Sequence, residues 1–197
     1  MHPYIAESRS HATLYIVLAV LAVASTWLFQ QLVALLRVTT PWWAETPSAL
    51  AFFGLYWKGF DLYAWRWRIS RWSGWAEAPD LRGTWRATAE TQYNSQPRPA
   101  EGRAQITQTS SHLSVVMRWG QSRSYSVAGV IQQGRGGEPE LIYQYVNEPD
   151  PNALPTMQIH RGTAWLELIS PNQLVGEYFS GRGRQQSGKL LMERVIG

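Results

Sequence analysis

The sequence predicts a membrane α-helical hairpin followed by an eight-stranded antiparallel up-and-down β-barrel, and three observations carry that prediction. Residues 12–36 contain no charged side chain. Beyond residue 81 the hydrophobic period changes from helical to two. The composition is 45% hydrophobic and only 16% charged, against a usual charged share of about 25%, and it includes 11 tryptophans. A chain poor in solvating groups and rich in amphipathic rings suits a membrane interface.

The hairpin comes first, within residues 1–71. The run ATLYIVLAVLAVASTWLFQQLVALL over residues 12–36, at 1.5 Å per residue, covers a hydrocarbon core of about 30 Å. Ala22-Val23-Ala24 before Ser25 imitates a signal-peptide cleavage site. The apolar run continues straight through it into Trp27, Leu28 and Phe29, so a spanning helix is the favoured reading. A second helix is expected over 47–66, with Pro47 at its start. Lys58 and Asp61 stand at i, i+3 in its second half, where they can pair. They lie either at the inner interface, with Phe60, Tyr63, Trp65 and Trp67 as an aromatic belt, or as a functional pair within the membrane. Arg37 alone lies between the helices, whereas Lys58, Arg66, Arg68 and Arg71 follow the second core. The positive-inside rule therefore puts both termini of a multi-pass protein in the cytoplasm.

Residues 72–80, WSGWAEAPD, read as a linker, and 81–197 as the barrel domain. Trp85, Ala87 and Ala89 alternate with Arg86, Thr88 and Glu90, Leu113, Val115 and Met117 with Ser114 and Arg118, Leu141, Tyr143 and Tyr145 with Gln144, and Gly188, Leu190 and Met192 with Lys189 and Glu193. Turn clusters separate the runs. Strands are expected near 82–92, 102–109, 112–119, 123–132, 140–147, 157–168, 173–180 and 186–194. Closing eight strands removes exposed edges and leaves an interior that is either just filled or large enough for one small ligand. Ala87, Ala89, Gly129, Gly176 and Gly188 are the small residues that alternation points inward.

In a meander of this kind the first strand enters at one rim, and the other rim collects the strand ends and loops that can form a mouth. That mouth is expected to gather Trp119, Arg123, Tyr143, Tyr145, Asn147, Tyr178, Ser180, Arg182 and Arg184. Aromatic faces, amides, hydroxyls and arginines together suit stacking of nucleobases and holding of phosphates.

Other chemistries find little support. Cysteine is absent, so thiolate sites and cysteine nucleophiles are excluded. The four histidines form no metal-binding pair, and no metal or cofactor is expected. Net charge is +4, divided evenly between residues 1–78 and the rest. No basic run tracks a duplex, so genomic nucleic acid is not an expected partner. Gly181-Arg182-Gly183-Arg184 lies between strands with no helix after it, unlike a Walker loop. Either it is a plain glycine-rich hairpin or its arginines touch phosphate. Glu148 and Asp150 flank Pro149 in a turn, and no nucleophile elbow occurs, so an enzyme is not expected. Gly83-Thr84-Trp85 is the G-x-W of lipocalin-like barrels, in which the tryptophan plugs the closed end.

The order of these features resembles the transmembrane β-barrel effectors of bacterial CBASS anti-phage systems, the CD-NTase-associated protein 15 family. The resemblance rests on D-L-x-G-x-W at Asp80–Trp85, Y-x-Y-x-N-x-P at Tyr143–Pro149, and Gly176-Glu177-Tyr178-Phe179-Ser180-Gly181-Arg182 leading to Gly188-x-Leu190-x-Met192-x-Arg194. It implies that the barrel binds a cyclic dinucleotide made by a partner synthase. Binding would then drive self-association and membrane disruption, ending in abortive infection. The alternative reading is a membrane-anchored, lipocalin-like carrier of a small apolar ligand.

Overall fold

The computed structural model describes residues 1–6, 11–36, 45–76, 78–93, 96–153, 158–181 and 187–195. It divides into two units, residues 8–77 and a barrel unit of 78–197 joined by residues 1–7.

The helical unit contains α1 (His11–Leu35), α2 (Glu45–Leu62), a 3-10 turn at Ala64–Arg66 and α3 (Arg68–Trp72). Contacts run in opposite order along α1 and α2. Tyr15 packs on Trp57 at 5.3 Å between ring centroids and Phe29 on Phe52 at 6.4 Å, while Ser25 and Tyr56 share a hydrogen bond. Leu14, Leu18, Phe60, Trp65 and Ala76 form the small core of this unit. Most other large apolar side chains of α1 remain exposed, including Ile16, Trp27 and Leu32.

Among the described residues, only α1 has the length and composition to cross a membrane, with a mean hydropathy of 2.1 over Ala12–Leu35. The second helix stops at Leu62 rather than 66. Lys58 is exposed and Asp61 is buried, and the chain then breaks into the 3-10 turn and α3, where Trp67, Ile69 and Trp72 are exposed.

Among the described residues the barrel has nine strands and mixed pairing, not eight antiparallel strands. All eight expected strands are present as β2 (Gly83–Tyr93), β3 (Gln96–Gln108), β4 (His112–Trp119), β5 (Ser122–Gln133), β6 (Pro139–Pro149), β7 (His160–Ser170), β8 (Gln173–Ser180) and β9 (Ser187–Arg194). The ninth is β1 (His2–Ala6), at the N-terminus. β4 and β5 pair directly only from Val116 to Trp119 against Ser122 to Tyr125. Past a bulge between Ser126 and Ala128, β1 enters the widening seam. It pairs antiparallel with His112 and Leu113 and parallel with Gly129, Val130 and Ile131. Strand 2–6 therefore leaves the barrel at the end where residues 78–82 enter it. In the chain, the helical segment lies between β1 and β2.

That end is closed. Trp85 is fully buried, its Nε1–H donates to the Leu81 carbonyl at 3.0 Å, and the Arg194 guanidinium lies 4.6 Å from its ring centroid. Arg194 also donates to the carbonyls of Arg82 and Asp80 at 2.9 and 2.7 Å. Gly83 has φ 130°, a conformation that suits glycine. Buried Gln108 accepts the Leu81 N–H at 2.9 Å and donates to the Pro79 carbonyl and the Tyr4 hydroxyl at 3.1 and 3.2 Å. One amide thus ties together the two chain segments that lead to the helices.

Candidate functional site

The opposite half of the barrel is hollow. Inward positions there carry small residues: Ala89 on β2, Ala100 on β3, Ala164 on β7 and Gly188 on β9. The result is an open cavity of about 350 Å³, within the usual range for small-molecule sites.

Three aromatic side chains face it, each laid against a glycine directly across the strand pair. Trp119 opposes Gly102, Tyr145 opposes Gly162 and Tyr178 opposes Gly188. A Cβ placed on any of these glycines would collide with the ring of its partner. The glycine leaves room for the ring against the wall, and the space beside it stays open as cavity. Tyr143 is deeper, only 2% exposed, tilted against Tyr145 at 6.2 Å, with its hydroxyl 3.2 Å from the Met117 sulfur. Burial, then the neighbouring Tyr145, pushes its hydroxyl pKa up, so it remains a neutral donor.

One wall is polar. Ser122 and Ser124 on β5 and Asn147 on β6 are buried and line the cavity. Ser126 follows them inward but is already used, accepting from the Val115 N–H at 2.9 Å and lying 2.8 Å from the His2 ring. His160 lines the cavity beside Asn147, its pairing partner on β7.

Of the residues expected at the mouth, Trp119, Tyr143, Tyr145, Asn147, Tyr178 and Ser180 do line this cavity. Tyr143 lies at its floor, not at the rim. Arg123 is exposed between inward Ser122 and Ser124 and does not line it. The reason is the bulge in β5. Inward positions are odd-numbered from Gly129 to Ile131, and the extra residue at Val127 switches them to even numbers toward the mouth. Alternation counted back from Gly129 therefore points Arg123 inward and hides the serines. Arg182 and Arg184 lie outside the described residues. Gly102, Gly162, Ser122, Ser124 and His160 were not singled out from the sequence. The S-x-S-x-S pattern at Ser122–Ser126 was the available signal for the polar wall. Among the described residues no group of acidic and histidine side chains is placed to hold a metal.

A closed small barrel, plugged at one end and hollow at the other, with aromatic rings and one polar wall, has the architecture of a ligand-receptor domain. Residues 76–194 match the family described as Cap15, cyclic dinucleotide receptor domain, and the chain belongs to that family. It is 27% identical over 157 residues to the CD-NTase-associated protein 15 of Yersinia aleksiciae, an overlap of 77% of this chain and 73% of that protein. Among solved structures it is similar to a redesigned β-barrel, mFAP0, bound to DFHBI, at 14% identity and TM-score 0.32, covering 58% of this chain and 98% of that one. It is also similar to a DUF3598-family protein of unknown function from Nostoc punctiforme, at 18% identity and TM-score 0.34, covering 59% and 48% of the two chains.

Proposed function

We propose that this chain is a membrane-anchored sensor and effector linked to a cyclic-dinucleotide synthase of a CBASS system. Ligand in the barrel drives self-association of the helical units and disruption of the inner membrane. The observation that carries the reading is the hollow, aromatic-faced half of a barrel that matches a cyclic dinucleotide receptor family. A barrel with such a cavity has no means of acting on a bilayer, so the effector half falls to residues 8–77. Because β1 and β2–β9 belong to one unit, the segment between them must return to the side it left. If α1 crosses, α2 crosses back, at about 27 Å for 18 residues, and Lys58 sits near the inner interface. Arg66, Arg68 and Arg71 then face the cytoplasm with the barrel. Ligand-induced association of barrels would raise the local concentration of hairpins, whose exposed Trp27, Leu28 and Leu55 offer packing surface.

The test is a thermal-shift and calorimetric titration of the full chain in nanodiscs against cyclic dinucleotides and fatty acids. Cyclic dinucleotide binding coupled to a rise in oligomer size supports the proposal. Fatty-acid binding alone would favour the carrier reading.

A further inference from the structure

Resting on the receptor reading, we infer that the cavity takes one nucleobase of the ligand, an adenine, read at its edge by Asn147 with Ser122 and Ser124, while both phosphodiesters stay outside. Three observations converge on this. The cavity, at about 350 Å³, lies at the small end of ligand pockets, and a cyclic dinucleotide carries two bases, two sugars and two phosphodiesters. Among the described residues no carboxylate, ammonium or guanidinium group lines it, and His160 is its one side chain able to carry positive charge. A phosphodiester drawn inside would lose its hydration against at most that one imidazole. A neutral flat base, by contrast, matches the faces of Tyr145 and Tyr178.

The third observation is Asn147 itself. It is only 6% exposed, it lines the cavity, and among the described residues its side chain makes no hydrogen bond; the same holds for Ser122 and Ser124 at 7% and 4%. Their polar atoms are not among the buried unpartnered ones of the described residues, so they open onto the cavity. A row of three polar side chains without protein partners on one wall suits the polar edge of a ligand. An amide offers one donor and one acceptor side by side, the complement of the adenine N6 amino group and adjacent ring nitrogen. Guanine's O6 and N1–H can also meet an amide, but its N2 amino group beside them calls for a carboxylate and its O6 and N7 for arginine, and among the described residues the cavity supplies neither.

The test uses the full chain in nanodiscs, with cyclic di-AMP and cyclic di-GMP as probes in calorimetry. Wild type should prefer cyclic di-AMP. Asn147→Ala should weaken that binding by about tenfold to a hundredfold, while leaving the ligand-free melting temperature unchanged, since its amide opens onto the cavity and holds no protein group. Asn147→Asp, which leaves acceptors only, should shift the preference toward cyclic di-GMP. Equal affinities for the two probes together with undiminished binding by Asn147→Ala would overturn the assignment of Asn147 and leave the receptor reading standing. Failure of wild type to bind either probe would instead remove the receptor reading on which it rests.

Discussion

Gln108 and Asn147 are amides buried to nearly the same depth, 4% and 6% exposed, at opposite ends of one barrel. Gln108 makes three hydrogen bonds and holds Tyr4, Pro79 and Leu81 together. Asn147 makes none with its side chain among the described residues. The same contrast runs through their neighbours. At the closed end Trp85, Arg194 and the carbonyls of residues 80–82 are mutually satisfied, with one orphan at Arg194 Nε. At the open end serines and an amide face a cavity, and three aromatic rings lie on glycine shelves. At one end the polar groups are spent on holding the chain together; at the other they and the rings open onto a cavity.

That division can be broken most severely at Trp85. Replacing it with Ala removes a fully buried indole from the plug and the cation–π partner of Arg194, at a cost of about 3–5 kcal/mol. Thermal unfolding of the full chain in detergent should show a large loss of melting temperature. A small loss would mean that the closed end is not where the barrel's stability lies.

The two amides sharpen the comparison directly. Gln108→Ala strands the Leu81 N–H and the Pro79 carbonyl and should destabilise by about 1–3 kcal/mol, whereas Asn147→Ala should not destabilise at all. Chemical denaturation of both variants side by side reads the difference. Equal destabilisation would make the two ends alike.

Gly162→Ala tests the shelves. Its Cβ would meet the Tyr145 ring and the Phe179 carbonyl, so overpacking of about 1–3 kcal/mol is expected, and the ring must lift into the cavity. Binding of a cyclic dinucleotide should fall by roughly tenfold or more, in line with the ~1–3 kcal/mol of one stacked base. Tyr178→Ala should lose a similar share of binding with less effect on folding, because Tyr178 is only half-buried. Undiminished binding in both variants would separate the aromatic wall from the ligand.

The smallest effect concerns acid. Burial works to raise the Asp80 carboxyl, but hydrogen bonds from the Arg82 side chain and backbone, with the charges of Arg82 and Arg194, hold it below its ordinary 3.8. A lowered folded-state value contributes stability above the unfolded value and loses it as pH falls through the folded one. The pair is about one-third exposed, so the contribution stays well under ~1 kcal/mol. Asp80→Asn should flatten the stability profile below about pH 4, and an unchanged acid limb would show that the Arg82 pair does not couple to folding.

Eight of the nine strands among the described residues were legible because runs of local alternation, as in Leu113-Ser114-Val115 and Tyr143-Gln144-Tyr145, are bounded by turn residues. α1 was legible because an uncharged run of that length has few other destinations. Trp85 as a plug could be read from G-x-W, and six of the nine expected mouth residues line the cavity because strand parity and strand end place them together.

β1 was not legible. HPYIA is five residues long, and its hydrogen-bonding partners lie more than a hundred residues away in a seam that exists only after β4 and β5 diverge. The inward serines and the outward Arg123 depend on a bulge at Val127, which adds one residue and reverses every side chain beyond it. Glycine shelves are equally non-local, since Gly162 is ordinary until Tyr145 is known to pair with it. The sequence by itself determined the helical run, the strand count of the meander and the class of residue at each inward position, because periodicity is a local property of the chain. Closure of the seam by the N-terminus, the parity of β5 and the hollow that those two features frame were decided only by tertiary structure, because each depends on which strands become neighbours.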